Sequence, residues 1–160
     1  MVDTLKITLA QMNQNVGNLA ANAEAMLAAR SRASGSDLIV YPEMQLIGYP
    51  PEDLIQKPAL IERAASELDR LAEATAGGGP AMLVGSVFVR DGALHNGVAL
   101  LDEGKVLATR FKHELPNYGT FDEKRCQASA VATRPRRAGM RLAPNCPSPC
   151  FMPEASHGTP

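Results

Sequence analysis

The apolar residues of this chain change their spacing from one segment to the next, and the order of those changes restricts its fold more than any other feature. Leu5, Ile7 and Leu9 alternate with Lys6, Thr8 and Ala10, the period of two that a strand imposes by sending successive side chains to opposite faces. This marks a first strand with one strongly apolar face. Asn18 follows, and its side chain can accept from the open N–H groups of a first helical turn. Behind it Leu19, Ala23, Met26, Leu27 and the aliphatic stem of Arg30 recur at helical spacing, and Ser34-Gly35-Ser36 closes the run, so a helix is predicted over residues 19–33.

Asp37-Leu-Ile-Val-Tyr41 is a short unbroken apolar run that stops at Pro42, the pattern of a strand buried on both faces. A helix between two strands carries the chain back to its starting edge, which makes the strands parallel. Pro50-Pro51 breaks the next segment. Leu60, Ile61, Ala64, Ala65, Leu68, Leu71 and Ala72 then mark a second amphipathic helix from Ala59 to Ala76, with Pro58 suited to its first turn and Gly77-Gly78-Gly79 ending it. Ala81 to Val89 reads as another buried strand. Arg90-Asp91-Gly92-Ala93 has the residues that a positive-φ hairpin turn needs before Leu94 to Leu101, and Asp102-Glu103-Gly104 turns the chain again into Lys105 to Lys112. A β-α-β-α unit thus runs into a β meander, which defines an α/β layered fold with helices against a mixed sheet.

At 160 residues the chain suffices for one domain with a real core and is too short for two. Its 16 Lys+Arg stand against 17 Asp+Glu, so no net field draws it to nucleic acid or to an anionic membrane. A small neutral partner is the better expectation. The longest apolar runs have strand length, far below the ~20 residues of a membrane span, and no basic-then-apolar signal pattern opens the sequence, so a cytoplasmic protein is expected.

The character changes after Arg125. Six of the 12 prolines and all 3 cysteines, Cys126, Cys146 and Cys150, lie in residues 126–160, where Val131 and Leu142 are the only branched aliphatic residues. Such a segment offers too little apolar surface to offset the entropy of ordering, and it is expected to form a disordered tail. Its abrupt onset inside a well-formed motif favours a shifted reading frame over a natural linker. Cys146-Pro-Ser-Pro-Cys150 with His157 nearby falls short of the four ligands a structural zinc takes, so no metal is expected.

Two stretches carry chemistry. Tyr41-Pro-Glu-Met-Gln-Leu-Ile-Gly-Tyr49 puts a carboxylate, Glu43, just past the C-terminal end of a strand, the rim where open α/β sheets bind ligands. Arg110-Phe-Lys-His-Glu-Leu-Pro-Asn-Tyr-Gly-Thr-Phe-Asp-Glu-Lys-Arg125 puts Lys112 at the end of the last strand, with a polar and aromatic loop after it. Together with Leu5-Lys-Ile-Thr-Leu-Ala-Gln-Met-Asn13 and Gly17-Asn18, these segments resemble the nitrilase, or carbon-nitrogen hydrolase, superfamily. The long run from Leu115 to Arg125 looks specifically like the glutaminase domain of glutamine-dependent NAD synthetases.

The resemblance implies an αββα sandwich, incomplete here, spanning residues 1–125, and a Glu-Lys-Cys triad whose first two members fall on Glu43 and Lys112. In the family a cysteine thiolate attacks an amide, the glutamate accepts and returns a proton, and the lysine stabilises the oxyanion. The nucleophile is expected downstream in a segment resembling Cys-Glu-Asp-Ile-Trp, yet the sequence contains no Cys-Glu pair and no tryptophan. The chain as written is therefore expected to be inactive alone. Tyr49 and Tyr118, with Phe121 a weaker candidate, match residues lining the glutamine pocket of this branch, against the plainer reading of aromatic packing. Glu114 matches an additional carboxylate near the lysine, against that of a surface ion pair. His95 and His113 lack a clustered partner and read as hydrogen-bonded structural residues.

The resemblance further implies glutamine as substrate and a homo-oligomer for the complete enzyme. No cofactor is expected for this segment, because ATP and magnesium serve the synthetase domain, whose Ser-Gly-Gly-type loop is absent from the sequence. The alternatives are a general amidase of the same superfamily and a non-catalytic fragment docking on full-length subunits.

Overall fold

The computed structural model describes residues 4–114, so Tyr118, Phe121, the three cysteines and the expected irregular tail lie outside the described residues. Five strands, β1 (Ile7–Leu9), β2 (Leu38–Val40), β3 (Ala81–Arg90), β4 (Ala93–Asp102) and β5 (Lys105–Phe111), form one sheet in the order β1-β2-β3-β4-β5. Helix α1 (Leu19–Arg32) joins β1 to β2, and α2 (Pro58–Glu73) joins β2 to β3 after a short 3-10 helix at Glu52–Gln56. The first three strands pair in parallel and the last three antiparallel, which is the mixed sheet expected from the sequence.

Local chemistry explains the element ends. The Asn18 side chain accepts from the Ala21 N–H at 3.4 Å, and Pro58 occupies the first turn of α2, where its missing N–H costs nothing. Both hairpin turns use a left-handed pair, Asp91 and Gly92 (φ 52° and 74°) and Glu103 and Gly104 (φ 51° and 77°). That geometry matches the twist of the strands it joins.

Both crossovers step in the same direction across the sheet, and their right-handed preference then puts both helices on the same face. The main core lies there. Ala23, Met26 and Ala29 of α1 and Leu68, Leu71 and Ala72 of α2 pack with Ile39, Met82, Val84, Ala99 and Leu101 of the strands. These strand residues share one face through the registers Ile39↔Met82, Met82↔Leu101 and Val84↔Ala99. A second cluster, with Leu19, Met44, Ile47, Ile55, Leu60, Ala64 and Val87, fixes the loop after β2.

The opposite face differs from what the sequence suggests. The alternation of Leu5, Ile7 and Leu9 is present, but these side chains are 64%, 49% and 74% exposed. Leu38 and Val40, in register with Ile7 and Leu9, are only half-buried, so β2 is not buried on both faces; Val89 at the end of β3 is exposed too. The reason is architectural: among the described residues both helices occupy the other face, and this one is covered only where the loop after β2 crosses β3 at Gly85, leaving β1 and the end of β3 open. Ala65, assigned to the apolar face of α2, is exposed, while Asn22 is buried on α1 and donates to the carbonyls of Asn15 and Leu46 at 2.9 and 3.0 Å.

Arg30 does more than lend its stem to α1. Its guanidinium donates to the carbonyls of Ala74, Gly78 and Pro80 at 3.1, 2.6 and 2.8 Å, tying the end of α1 to the turn that leads into β3. Two of the three bonds are solvent-exposed, so water offsets part of their loss. Arg30→Ala should lower stability by about 2 kcal/mol, measured as a shift of the urea midpoint; an unmoved midpoint would show that the turn holds itself.

No helix among the described residues is long and apolar enough to cross a membrane.

Candidate active site

Glu43 sits on an arch built from the residues after β2. Tyr41 extends the β2–β3 pairing with its N–H on the Leu83 carbonyl (3.1 Å), and the Leu46 N–H resumes contact with β3 at the Gly85 carbonyl (3.2 Å). Between them Pro42, Glu43 and Met44 cross above Gly85. A Cβ there would lie 2.7 Å from the Pro42 oxygen and 2.6 Å from the Met44 nitrogen, so only glycine lets the arch rest on the strand.

The arch is pinned on both sides of the carboxylate. Met44, Leu46 and Ile47 are fully buried, and Met44 takes a left-handed φ of 52° with its carbonyl accepting from Ile47 (3.0 Å) and Gly48 (2.7 Å). The Tyr41 hydroxyl donates to the Met26 carbonyl of α1 at 2.7 Å, and burial pushes this phenol well above its ordinary pKa, which keeps it a donor. Glu43 alone in this stretch reaches outward, with its side chain 45% exposed.

Lys112 arrives from the other side of the sheet. It follows β5 directly, and its N–H on the Asn96 carbonyl (2.7 Å) continues the β4–β5 ladder. Its Nζ lies 2.7 Å from Glu43 Oε1, across 69 residues of sequence. Asn96 of β4, 3% exposed, donates from Nδ2 to the same oxygen at 2.5 Å. A charged donor and a neutral one thus meet on one carboxylate oxygen, and hydrogen bonds with an ionised partner are the shorter and stronger kind. Around them opens a cavity of about 380 Å³, lined by the arch, Gly85, β4 from Asn96 to Val98, and Arg110 to Lys112.

Of the residues singled out in the sequence, then, Glu43 and Lys112 come together. Tyr49 is half-buried against the cluster of Met44 and Ile47 and does not line the cavity, and Glu114 is exposed at the edge of the described segment. His113 is exposed as well. His95 is buried with its ring 5.1 Å from that of Phe111, and its Nδ1 has no hydrogen-bond partner among the described residues. No cluster of three or more metal-ligating side chains occurs among the described residues.

Asn96 was not legible as a site residue. It falls inside the run read as the strand Leu94 to Leu101, and the position is known to face the carboxylate only once β3 and β4 are paired, with Val87 opposite Asn96.

The fold and this pair of ends define a class. Residues 6–139 match the carbon-nitrogen hydrolase family, and the chain belongs to it. It is 42% identical over 141 residues to the glutamine-dependent NAD(+) synthetase of Rhodobacter capsulatus, covering 87% of this chain and 25% of that one. Among solved structures, the glutamine-dependent NAD+ synthetase of Acinetobacter baumannii superposes with a TM-score of 0.70 at 34% identity, over 80% of this chain and 24% of the other. A mutant of the Nesterenkonia AN1 amidase from the nitrilase superfamily superposes with a TM-score of 0.67 at 25% identity, over 80% and 49%. The chain spans about a quarter of the length of the curated relatives it matches.

Proposed function

We propose that this chain supplies the general base and the oxyanion-stabilising lysine of a glutamine-hydrolysing site, the part of an NAD synthetase that releases ammonia from glutamine. The observation that carries the reading is the contact of Lys112 Nζ with Glu43 Oε1 at 2.7 Å, at the rim of a cavity of a size suited to a small amide. The similarity to glutamine-dependent NAD synthetases supports glutamine as that amide.

In this reading Glu43 takes the proton of an attacking thiol as the new sulfur–carbon bond forms, and returns it to the amide nitrogen as the carbon–nitrogen bond breaks and ammonia leaves. Lys112 offsets the charge that gathers on the carbonyl oxygen. Water then releases glutamate from the thioester. The thiol comes from outside residues 4–114, which contain no cysteine. Tyr118 and Phe121 are proposed to shape the glutamine pocket, Tyr49 to bear on it through the Met44 and Ile47 cluster it packs against, and Glu114 to stand near the lysine. The hydrolysis uses no cofactor, ATP and magnesium serve the synthetase step elsewhere in a complete enzyme, and the setting is cytoplasmic.

A general amidase is the second reading, favoured by the superposition on the Nesterenkonia amidase. One experiment separates the two. The purified chain should release no ammonia from glutamine above a Glu43→Ala control, because no Cys-Glu segment occurs in it. Grafted in place of the matching segment of the Rhodobacter capsulatus enzyme, it should restore ammonia release from glutamine. In that graft Glu43→Gln or Lys112→Met should cut the rate by about 10²–10⁴-fold. A graft that prefers butyramide to glutamine would establish the amidase reading instead.

A further inference from the structure

We propose that Asn96 is a positioning residue that selects which oxygen of Glu43 carries the proton; this rests on the reading of Glu43 as the base. Asn96 Nδ2 and Lys112 Nζ both fall on Oε1, at 2.5 and 2.7 Å. A carboxylate only accepts, so the amide must present its N–H₂ end to Glu43 and not its oxygen.

The consequence follows from the bonds each oxygen can hold. A proton placed on Oε1 would meet two donors that are already there, whereas a proton on Oε2 leaves Oε1 a carbonyl-type acceptor for both. Proton transfer to and from Glu43 is therefore confined to Oε2, and the hydrogen bond from Asn96 survives in both protonation states. Glu43 can take up a proton and give it back without the carboxyl group turning.

Asn96 suits this task better than the lysine does. Lysine reaches the carboxylate on a flexible four-carbon stem and its side chain remains 28% exposed, so packing fixes its position less tightly. Asn96 is 3% exposed, stands inside β4 opposite Val87, and through its carbonyl holds the Lys112 N–H as well. One residue in the middle of the meander thus fixes the carboxylate by its side chain and the backbone of the lysine by its main chain.

The test is spectroscopic and uses the full 160-residue chain. In a sample labelled with ¹⁵N, one Asn96 side-chain amide proton should resonate downfield of those of the other asparagines. It should lose that displacement in Glu43→Ala and keep it in Lys112→Met. With ¹³C-carboxyl glutamate, the Glu43 signal, assigned by its loss in Glu43→Gln, should move in Asn96→Ala and stay in place in Val89→Ala, a change at the exposed end of β3. An Asn96 amide pair indifferent to Glu43→Ala, or a Glu43 signal indifferent to Asn96→Ala, would overturn the proposal. The amide measurement needs no substitution at Asn96, so a misfolded Asn96→Ala does not remove the test. Neither signal depends on turnover, so a graft that fails to hydrolyse glutamine would remove the base reading without moving them.

Discussion

Replacing Gly85 with valine should abolish the site while leaving Glu43, Asn96 and Lys112 in the sequence. The arch holding Glu43 crosses the strand so closely that even a Cβ would fall 2.6–2.7 Å from backbone atoms of Pro42 and Met44, and no side-chain rotation relieves a clash with backbone. The arch must lift. A displacement of about 1 Å at a reacting group is enough to cost about 100-fold in rate, so the graft carrying Gly85→Val should hydrolyse glutamine at least that much more slowly. Overpacking of this kind also costs about 1–3 kcal/mol, which the urea midpoint of the chain itself would register. Gly85→Ala should move both quantities in the same direction by less. If Gly85→Val left the rate and the midpoint unchanged, the arch would not rest on β3 as described.

A second large effect should distinguish the two faces of the sheet. Ile39 and Leu9 are comparable apolar residues on neighbouring strands, but Ile39 is fully buried under the helices and Leu9 is 74% exposed. Truncating Ile39 to alanine removes buried methyl groups and leaves a cavity, at a cost of about 2–5 kcal/mol. Leu9→Ala should change stability by less than about 0.5 kcal/mol, as surface substitutions do. Equal losses at the two positions would mean that the face bearing Leu5, Ile7 and Leu9 is covered in solution. The αββα arrangement implied by the family resemblance lays a second sheet on that face, and the described residues contain only the first.

The same contrast shows what could be read in advance. Strand alternation at Leu5, Ile7 and Leu9 reveals that the two faces differ, but which face is covered depends on where the helices fall, and that is a tertiary matter. Asn18, Pro58 and the Asp91-Gly92 and Glu103-Gly104 pairs act on their immediate neighbours, so the starts of α1 and α2 and both hairpins were legible, while α2 stops at Glu73, three residues short of the Ala76 expected from the glycines that follow. A lone glutamate or lysine after a strand, where ligand sites of such sheets gather, would have read as a turn cap or a solvated charge. Glu43 and Lys112 were legible through the long motifs around them that carry the family resemblance. Gly85 and Asn96 were not, since their importance lies in contacts with the arch, residues that pass nearby only after β3 is paired on both sides.

The lysine lies 69 residues beyond the carboxylate it meets, and that separation has a meaning in time. During synthesis, at about 5–20 residues per second, Glu43 leaves the ribosome between about 3 and 14 s before Lys112 does. Asn96 and the rest of the meander emerge within that interval. The parallel pair β1–β2 with α1 is the part that can assemble first, and through it the carboxylate faces water with neither of its two donors. Each nascent molecule acquires its charge pair late, in the step that closes β5 onto β4.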